Sequence, residues 1–190
     1  MSTGWICVSI KPGDEVLLRL ENGEVRVSSR AQARRRAQEY VQSLDPKNVS
    51  LAAELIKERA MRQMISCVLG ASAVLAYLHG ESGSAEVAKL LDGAAVSALN
   101  VAEVAGKLAE IGAPRAQVQQ TIEELGMEII ACDAPIAYRI GELRTSARRL
   151  GLSLVDRACL STAIHCGVRA VTADRHWKRL TAGANIHVIR

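Results

Sequence analysis

Phenylalanine is absent from the 190 residues, and aromatic side chains make up only 3% of them. A core must therefore rest on Ala, Leu, Val and Ile, as in helix-rich α/β proteins. With 49% of the chain hydrophobic, that core can be substantial. No uninterrupted apolar run reaches the roughly 18 residues of a membrane-spanning helix. The N-terminus lacks a basic stretch leading into an apolar one, so no secretory signal is expected and the expected location is cytoplasmic. The five cysteines, Cys7, Cys67, Cys132, Cys159 and Cys166, include no C-x-x-C pair. An odd set with mostly apolar flanks reads as reduced, buried thiols rather than a disulfide framework. The four histidines form no H-x-x-x-H pair, so no zinc site is expected. Neither a G-x-x-x-x-G-K-[ST] nor a G-x-G-x-x-G element follows a strand, which disfavours nucleotide-binding α/β domains.

What is present divides near residues 61–64. Up to Gln63 there are 11 Lys/Arg against 8 Asp/Glu, and from Met64 onward 13 against 12, so most of the net +4 sits early in the chain. Part of it is the run Arg34-Arg35-Arg36, either a solvated helix face or a contact for phosphate or an acidic pocket. Residues 10–27 read as a β-hairpin: Val16, Leu18 and Leu20 alternate, Asn22-Gly23 supplies a two-residue turn, and Val25 and Val27 return. Ser28 or Ser29 can cap a helix striped by Ala33, Ala37, Tyr40, Val41 and Leu44, which Asp45-Pro46 ends. A second short helix is expected from Ser50, with Leu51, Leu55 and Ile56 on one side. These elements bury little by themselves and need a partner surface.

From Ile65 the chain alternates strands and helices. Strands are expected at 65–69, 94–99, 127–132, 169–173 and 186–189. Helices are expected between them, including 101–111, 135–150 and 153–165. The pattern implies a mainly parallel sheet covered on both faces. In such sheets ligands bind beyond the carboxyl ends of the strands. Three acids fall there: Glu103 and Asp156, each expected in the first turn of a helix, and Asp174, directly after a strand. Hard divalent cations need oxygen ligands of this kind. A helix cap is the alternative for each acid taken singly.

Three segments carry a resemblance. ISCVLGASAVLAYLHGE, SALNVAEVAGKL and LGLSLVDRACLSTAIHCGVRAVTADRHWKRL resemble the sequence blocks of PIN-domain ribonucleases of the VapC toxin type. The match spans residues 64–190. It implies a three-layer α/β fold and a metal-dependent endoribonuclease, usually dimeric, that cleaves RNA as the toxin of a toxin–antitoxin pair. Carried over by position, Glu103, Asp156 and Asp174 match metal-site acids for Mg²⁺ or Mn²⁺, and Ser72 and Thr172 match hydroxyls that orient ligands. Asn100 matches a polar residue before the second acid, with a helix N-cap as the plainer reading. Arg157 is read as an RNA-phosphate contact or a surface salt bridge. Gly70 departs from the pattern, because the family has an aspartate there. Glycine can serve a strand–helix turn, but it offers no carboxylate. Weak metal binding and reduced activity are therefore expected.

The segment IKPGDEVLLRLENGEVRVSS resembles the second half of an AbrB-like domain of VapB antitoxins, and the helices after it resemble the tail with which such antitoxins wrap their toxins. Met1–Ser9 does not match the first half, which normally carries the DNA-contacting loop, so only weak, sequence-indifferent DNA binding is expected. The expected organisation is a truncated antitoxin segment over 1–60 and a toxin domain over 64–190, with Met61 and Met64 as relics of a separate start. Residues 28–60 are expected to pack on the toxin domain of the same or a neighbouring chain. Arg34, Arg35, Arg36 or Arg59 is then expected to enter the acidic pocket in place of metal charge. The alternative to an enzyme is a silent complex component that binds antitoxin, RNA or operator DNA.

Overall fold

The computed structural model describes residues 16–21, 24–44, 65–148, 150–180 and 183–190. The expected helix from Ser50, the boundary near 61–64, Met1–Ser9 and Arg59 lie outside these residues. The chain begins with an antiparallel hairpin, β1 (Val16–Glu21) and β2 (Glu24–Ser29), in which Leu18 faces Val27 and Leu20 faces Val25. Helix α1 (Arg30–Leu44) follows at once. Ser29 starts it reciprocally: its hydroxyl accepts the Gln32 amide at 3.3 Å, and the Gln32 side chain accepts the Ser29 amide at 2.9 Å. Such exchange satisfies two backbone donors that the first turn leaves without helical partners. The helix is described to Leu44, next to the expected stop at Asp45-Pro46.

The remaining elements are β3 (Cys67–Leu69), α2 (Ala71–Leu78), α3 (Ser84–Leu90), β4 (Ala94–Ser97), α4 (Ala98–Glu110), α5 (Arg115–Glu124), β5 (Glu128–Ile130), α6 (Ala134–Glu142), α7 (Arg144–Arg148), α8 (Leu154–Cys166), β6 (Arg169–Thr172) and β7 (Ile186–Val188). A 3-10 turn, Arg175–Arg179, lies between the last two strands. The five strands from β3 onward are all parallel, in the order β5-β4-β3-β6-β7. Chain order reverses between β3 and β6, and at such a switch point the flanking helices leave in opposite directions and open a crevice. The expected three-layer α/β architecture around a mainly parallel sheet is therefore present.

Strand alternation divides the core. Cys67 and Leu69 of β3 join Val74, Leu78, Leu91, Val104, Leu108 and Leu125 on one face. Val68, between them, joins Leu160, Ala163, Leu143, Ala170 and Trp177 on the other. Both faces of the inner strands β3, β4 and β6 are apolar because they are covered on both sides, whereas the edge strand β5 leaves Glu128 and Ile129 exposed. Helix α8 ends at Gly167, whose left-handed φ of 67° closes the turn into β6. This conformation strains any residue with a Cβ.

Helix α1 packs on the sequence-distant domain. Ala33, Ala37 and Val41 are buried, and the Gln38 side-chain amide donates to the Tyr77 carbonyl at 3.0 Å. Arg34, only 1% exposed, pairs with Asp92 at 3.3 Å. Asp92 precedes β4, at the amino edge of the sheet, whereas the candidate acids follow strands at the carboxyl edge.

Several boundaries differ from expectation. The strand expected at 94–99 stops at Ser97, because the Ser97 hydroxyl accepts the Asn100 amide and caps α4. Glu103 consequently sits in the second turn rather than the first. The single helix expected over 135–150 is broken at Leu143 into α6 and α7.

Candidate active site at the carboxyl edge of the sheet

Gly70 follows β3 directly at the switch point, with φ −75° and ψ 159°. Any residue adopts this extended conformation, so the backbone does not require glycine and the turn explanation falls away. A Cβ built there would lie 3.3 Å from the Val171 carbonyl oxygen, 3.6 Å from Cys159 Sγ and 3.9 Å from the Trp177 ring. The space fits a methylene with a few tenths of an ångström of give. Burial and the charge of Asp156 push the Cys159 thiol far up, so it stays neutral and adds no anion to the site.

Ser72 and Thr172 meet across β3 and β6. Their hydroxyls are 3.0 Å apart; Ser72 Oγ accepts the Ala173 amide at 3.1 Å and Thr172 Oγ1 accepts the Asp174 amide at 3.0 Å. Thr172 is fully buried whereas Ser72 lines an open cleft. A Thr172 proton turned away from Ser72 would be buried without an acceptor, at a cost of about 1–3 kcal/mol. Thr172 is therefore best satisfied by donating to Ser72, which leaves the Ser72 hydroxyl proton for an acceptor other than Thr172. This pair ties the Ala173 and Asp174 amides to the end of β3.

Glu103 and Asp156 are brought together electrostatically. Partial burial pushes the Glu103 carboxyl above its ordinary range, and the charge of Asp156 adds to the rise while Lys107 opposes it. Asp156 is also a cap: its Oδ2 accepts the Ser153 amide at 2.8 Å, and Ser153 Oγ accepts the Asp156 amide at 3.1 Å. Asn100 is not the helix cap; its side-chain amide donates to the Val155 carbonyl at 3.3 Å and ties α4 to α8. Its Oδ1 is buried with no partner, an unused oxygen on the turn that precedes Glu103. Asp174 caps the 3-10 turn, accepting the His176 amide at 2.9 Å, and lies 3.1 Å from His176 Nδ1.

Among the described residues no three His, Cys, Asp or Glu side chains gather closely enough to hold an ion. Gly70 supplies no oxygen, and Asp156 and Asp174 each commit a carboxylate oxygen to a helix start. The donor set therefore does not fit a four-acid metal site.

Arg34, Arg35 and Arg36 each have a partner within this chain, and Arg59 lies outside the described residues. Arg34 is held by Asp92 at the far edge, Arg35 pairs with Glu39 on the surface at 2.8 Å, and Arg36 donates to Ser28 Oγ at 3.0 Å. None of these contacts is with the acids. Arg157 is neither a phosphate contact nor a surface salt bridge. It is buried, donating to the Ile140 carbonyl at 2.7 Å and the Ser153 carbonyl at 3.3 Å. Its stem beside Ala158 gives up solvent to tie α6 to the start of α8.

Sequence reasoning missed the cleft beside Asp174. It has a volume of about 460 Å³ and is lined by Ser72, Ala173, Asp174, Arg175 and Arg190. The available signal was RHWKR after Asp174, in which Trp177 is 1% exposed while its basic neighbours are exposed.

A family model described as PIN domain matches residues 67–183, more than half of the chain. Among solved structures, the chain is similar to VapBC2 from Rickettsia felis bound to a DNA fragment from their promoter, at 22% identity and TM-score 0.52, covering 64% of this chain and 97% of that one. It is similar to DNA-bound VapBC from Salmonella typhimurium at 19% identity and TM-score 0.54, covering 67% and 100%. It is also similar to a toxin–antitoxin complex from Klebsiella pneumoniae at 19% identity and TM-score 0.51, covering 66% and 98%. Identities this low carry the fold alone. No curated protein matches the chain.

Proposed function

The chain belongs to the PIN-domain family, and from that premise we propose that it is a toxin-type endoribonuclease domain with an antitoxin-like segment in cis, its cleavage lost or strongly reduced by Gly70. The observation that carries this reading is Gly70 itself. It stands where strand order reverses, in a backbone conformation open to any residue, with room for a Cβ but no oxygen to offer. PIN domains are generally metal-dependent nucleases, typically of Mg²⁺ or Mn²⁺. Here Glu103 and Asp156 remain coupled, and Asp174 lies across the switch point on a loop set by Ser72 and Thr172. A missing carboxylate weakens the hold on an ion directly, and misplacing a reacting group by about 1 Å can cost on the order of a hundredfold in rate.

The silent-component reading is favoured by one observation, the absence of a gathered trio of metal-ligating side chains among the described residues. On either reading the organisation is an antitoxin-like segment over 1–60 and a toxin-type domain over 64–190. Homodimers or larger assemblies, and DNA binding without sequence preference, belong to the same proposal.

The test compares the full chain with Gly70→Asp in RNA cleavage with Mg²⁺ or Mn²⁺. The parent is expected to cleave little or not at all, and Gly70→Asp to gain divalent-dependent cleavage that Asp156→Asn removes. If Gly70→Asp keeps its fold and cleaves no faster than the parent at saturating Mn²⁺, the site assignment fails and the silent component is favoured.

A further inference from the structure

The opposite edge of the sheet, where strands begin, carries a second cleft. It opens where β6 and β7 start and α8 ends, with a volume of about 420 Å³. Three kinds of surface meet in it. The first is a cation with a hydrogen-bonding amide. Arg169, the half-buried first residue of β6, and Asn185, just before β7, both line the cleft. Among the described residues neither side chain forms an ion pair or hydrogen bond. The charge of Arg169 is nevertheless felt by the buried Cys67 thiol on the adjoining strand, which it lowers against the rise caused by burial. The second surface is the end of α8. The last four carbonyls of a helix lack helical partners. Here those of Ala163 and Ile164 accept the Val168 and Gly167 amides, so the residual negative charge rests on His165 and Cys166. Ser66 adds an oxygen: its hydroxyl donates to the Gly93 carbonyl at 3.2 Å and keeps its lone pairs for another donor. The third surface is an apolar wall of Ile164, Val168 and Ala184, continuous with the cluster around Val68 and Leu160.

We propose that this amino-edge cleft is a second ligand site and that it takes a free α-amino acid with a branched aliphatic side chain. The carboxylate pairs with Arg169 and Asn185, because a guanidinium fork matches two carboxylate oxygens. The ammonium turns to the end of α8 and to Ser66 Oγ, where a positive charge complements the helix dipole. The side chain lies on Ile164, Val168 and Ala184. A dianion such as phosphate fits less well, since one cation faces it beside the negative end of a helix. The volume falls within the roughly 300–1,000 Å³ of small-molecule sites. This cleft shares no lining residue with the one beside Asp174, and its occupation depends neither on Gly70 nor on a metal.

The test is ligand-observed nuclear magnetic resonance of L-leucine with the full chain at neutral pH. Saturable binding in the millimolar range is expected. L-leucinamide lacks the carboxylate and should bind about tenfold more weakly or worse. Glycine lacks the side chain and should lose a similar factor. For 4-methylpentanoate, which lacks the ammonium, the loss is about two- to fivefold. Arg169→Gln should weaken leucine about tenfold or more, and Asn185→Ala about two- to tenfold. Arg175→Ala, at the other cleft, should keep the parent affinity. Should Arg169→Gln fail to fold, Asn185→Ala decides, because its side chain is exposed and the backbone bond from the Ala170 amide to the Asn185 carbonyl is retained. The proposal is overturned if leucine shows no saturable binding up to its solubility limit, or if leucinamide or inorganic phosphate binds as well. It is equally overturned if Asn185→Ala keeps the parent affinity, or if Arg175→Ala loses it, which would seat the ligand at the carboxyl edge. None of these outcomes bears on the cleavage assay, so the two readings fail separately.

Discussion

Consider removing the carboxylate of Asp92. Arg34 is 1% exposed and Asp92 28% exposed, with both terminal guanidinium nitrogens near one oxygen at 3.3 and 3.4 Å. Breaking a fully buried pair by deleting one partner costs about 3–5 kcal/mol, because a charge is left without compensation. Two facts lower the figure here: Asp92 keeps some contact with water, and Arg34 has a further interaction. Asp92→Ala is therefore expected to cost about 2–3 kcal/mol. For a chain of this length that lowers Tm by about 4–12 °C. Asp92→Asn keeps an acceptor and loses only the charge assistance, so its cost is about 1 kcal/mol. Arg34→Met/Asp92→Ala should recover part of the loss, since neither charge of this pair is then left without its partner. Thermal melts of the full chain measure the global effect, and amide exchange over residues 30–44 detects local release of α1. A Tm within about 1 °C of the parent together with unchanged exchange in Asp92→Ala would refute docking of α1 at this edge.

Glu103→Gln addresses the coupled acids. A carboxyl whose pKa is raised by folding binds its proton more tightly in the folded state, so stability falls as pH climbs from the ordinary glutamate range through the raised pKa, and stays lower above it. Tm followed from acid to neutral pH should show this decline in the parent and a flatter profile, higher at neutral pH, in Glu103→Gln; matching profiles would contradict the coupling. Gly70→Ala should fold normally with a stability change of at most about 1 kcal/mol, because φ is −75° and the tightest contact is 3.3 Å. A collapse of its cooperative melt would mean the strand end is tighter than these distances allow. Among the described cysteines, thiol labelling of the native chain should modify exposed Cys132 first, then Cys166, whose thiol is pushed up by burial and the charge of Glu128. The buried Cys67 and Cys159 should react only on unfolding. Early reaction of Cys159 would contradict the packing beside Gly70.

The alternation of apolar residues was enough to place β1 and β2 and to foresee a parallel sheet, because a side-chain period of two and buried strand runs are local properties. The stripe Ala33, Ala37 and Val41 was equally legible as a face in need of cover, and Gly70 was visible as the position without a carboxylate. The domain that would cover it was expected, but the residues that meet it were not legible, because Gln38 meets Tyr77 and Arg34 meets Asp92 across 39 and 58 residues of chain. Spacing alone carries no information on such pairings. The acids show the same division. Their presence at strand ends followed from the order of elements, but a one-dimensional pattern cannot say which oxygens a carboxylate keeps free. In the folded chain Asp156 and Asp174 are drawn into helix starts because unsatisfied amides compete for the same lone pairs. Arg157, polar and beside Asp156, invited a surface role, yet the crossing of α6 and α8 buries it and turns its donors to carbonyls. Proximity along the chain set the inventory of groups, and packing between distant elements set which of them remain available for chemistry.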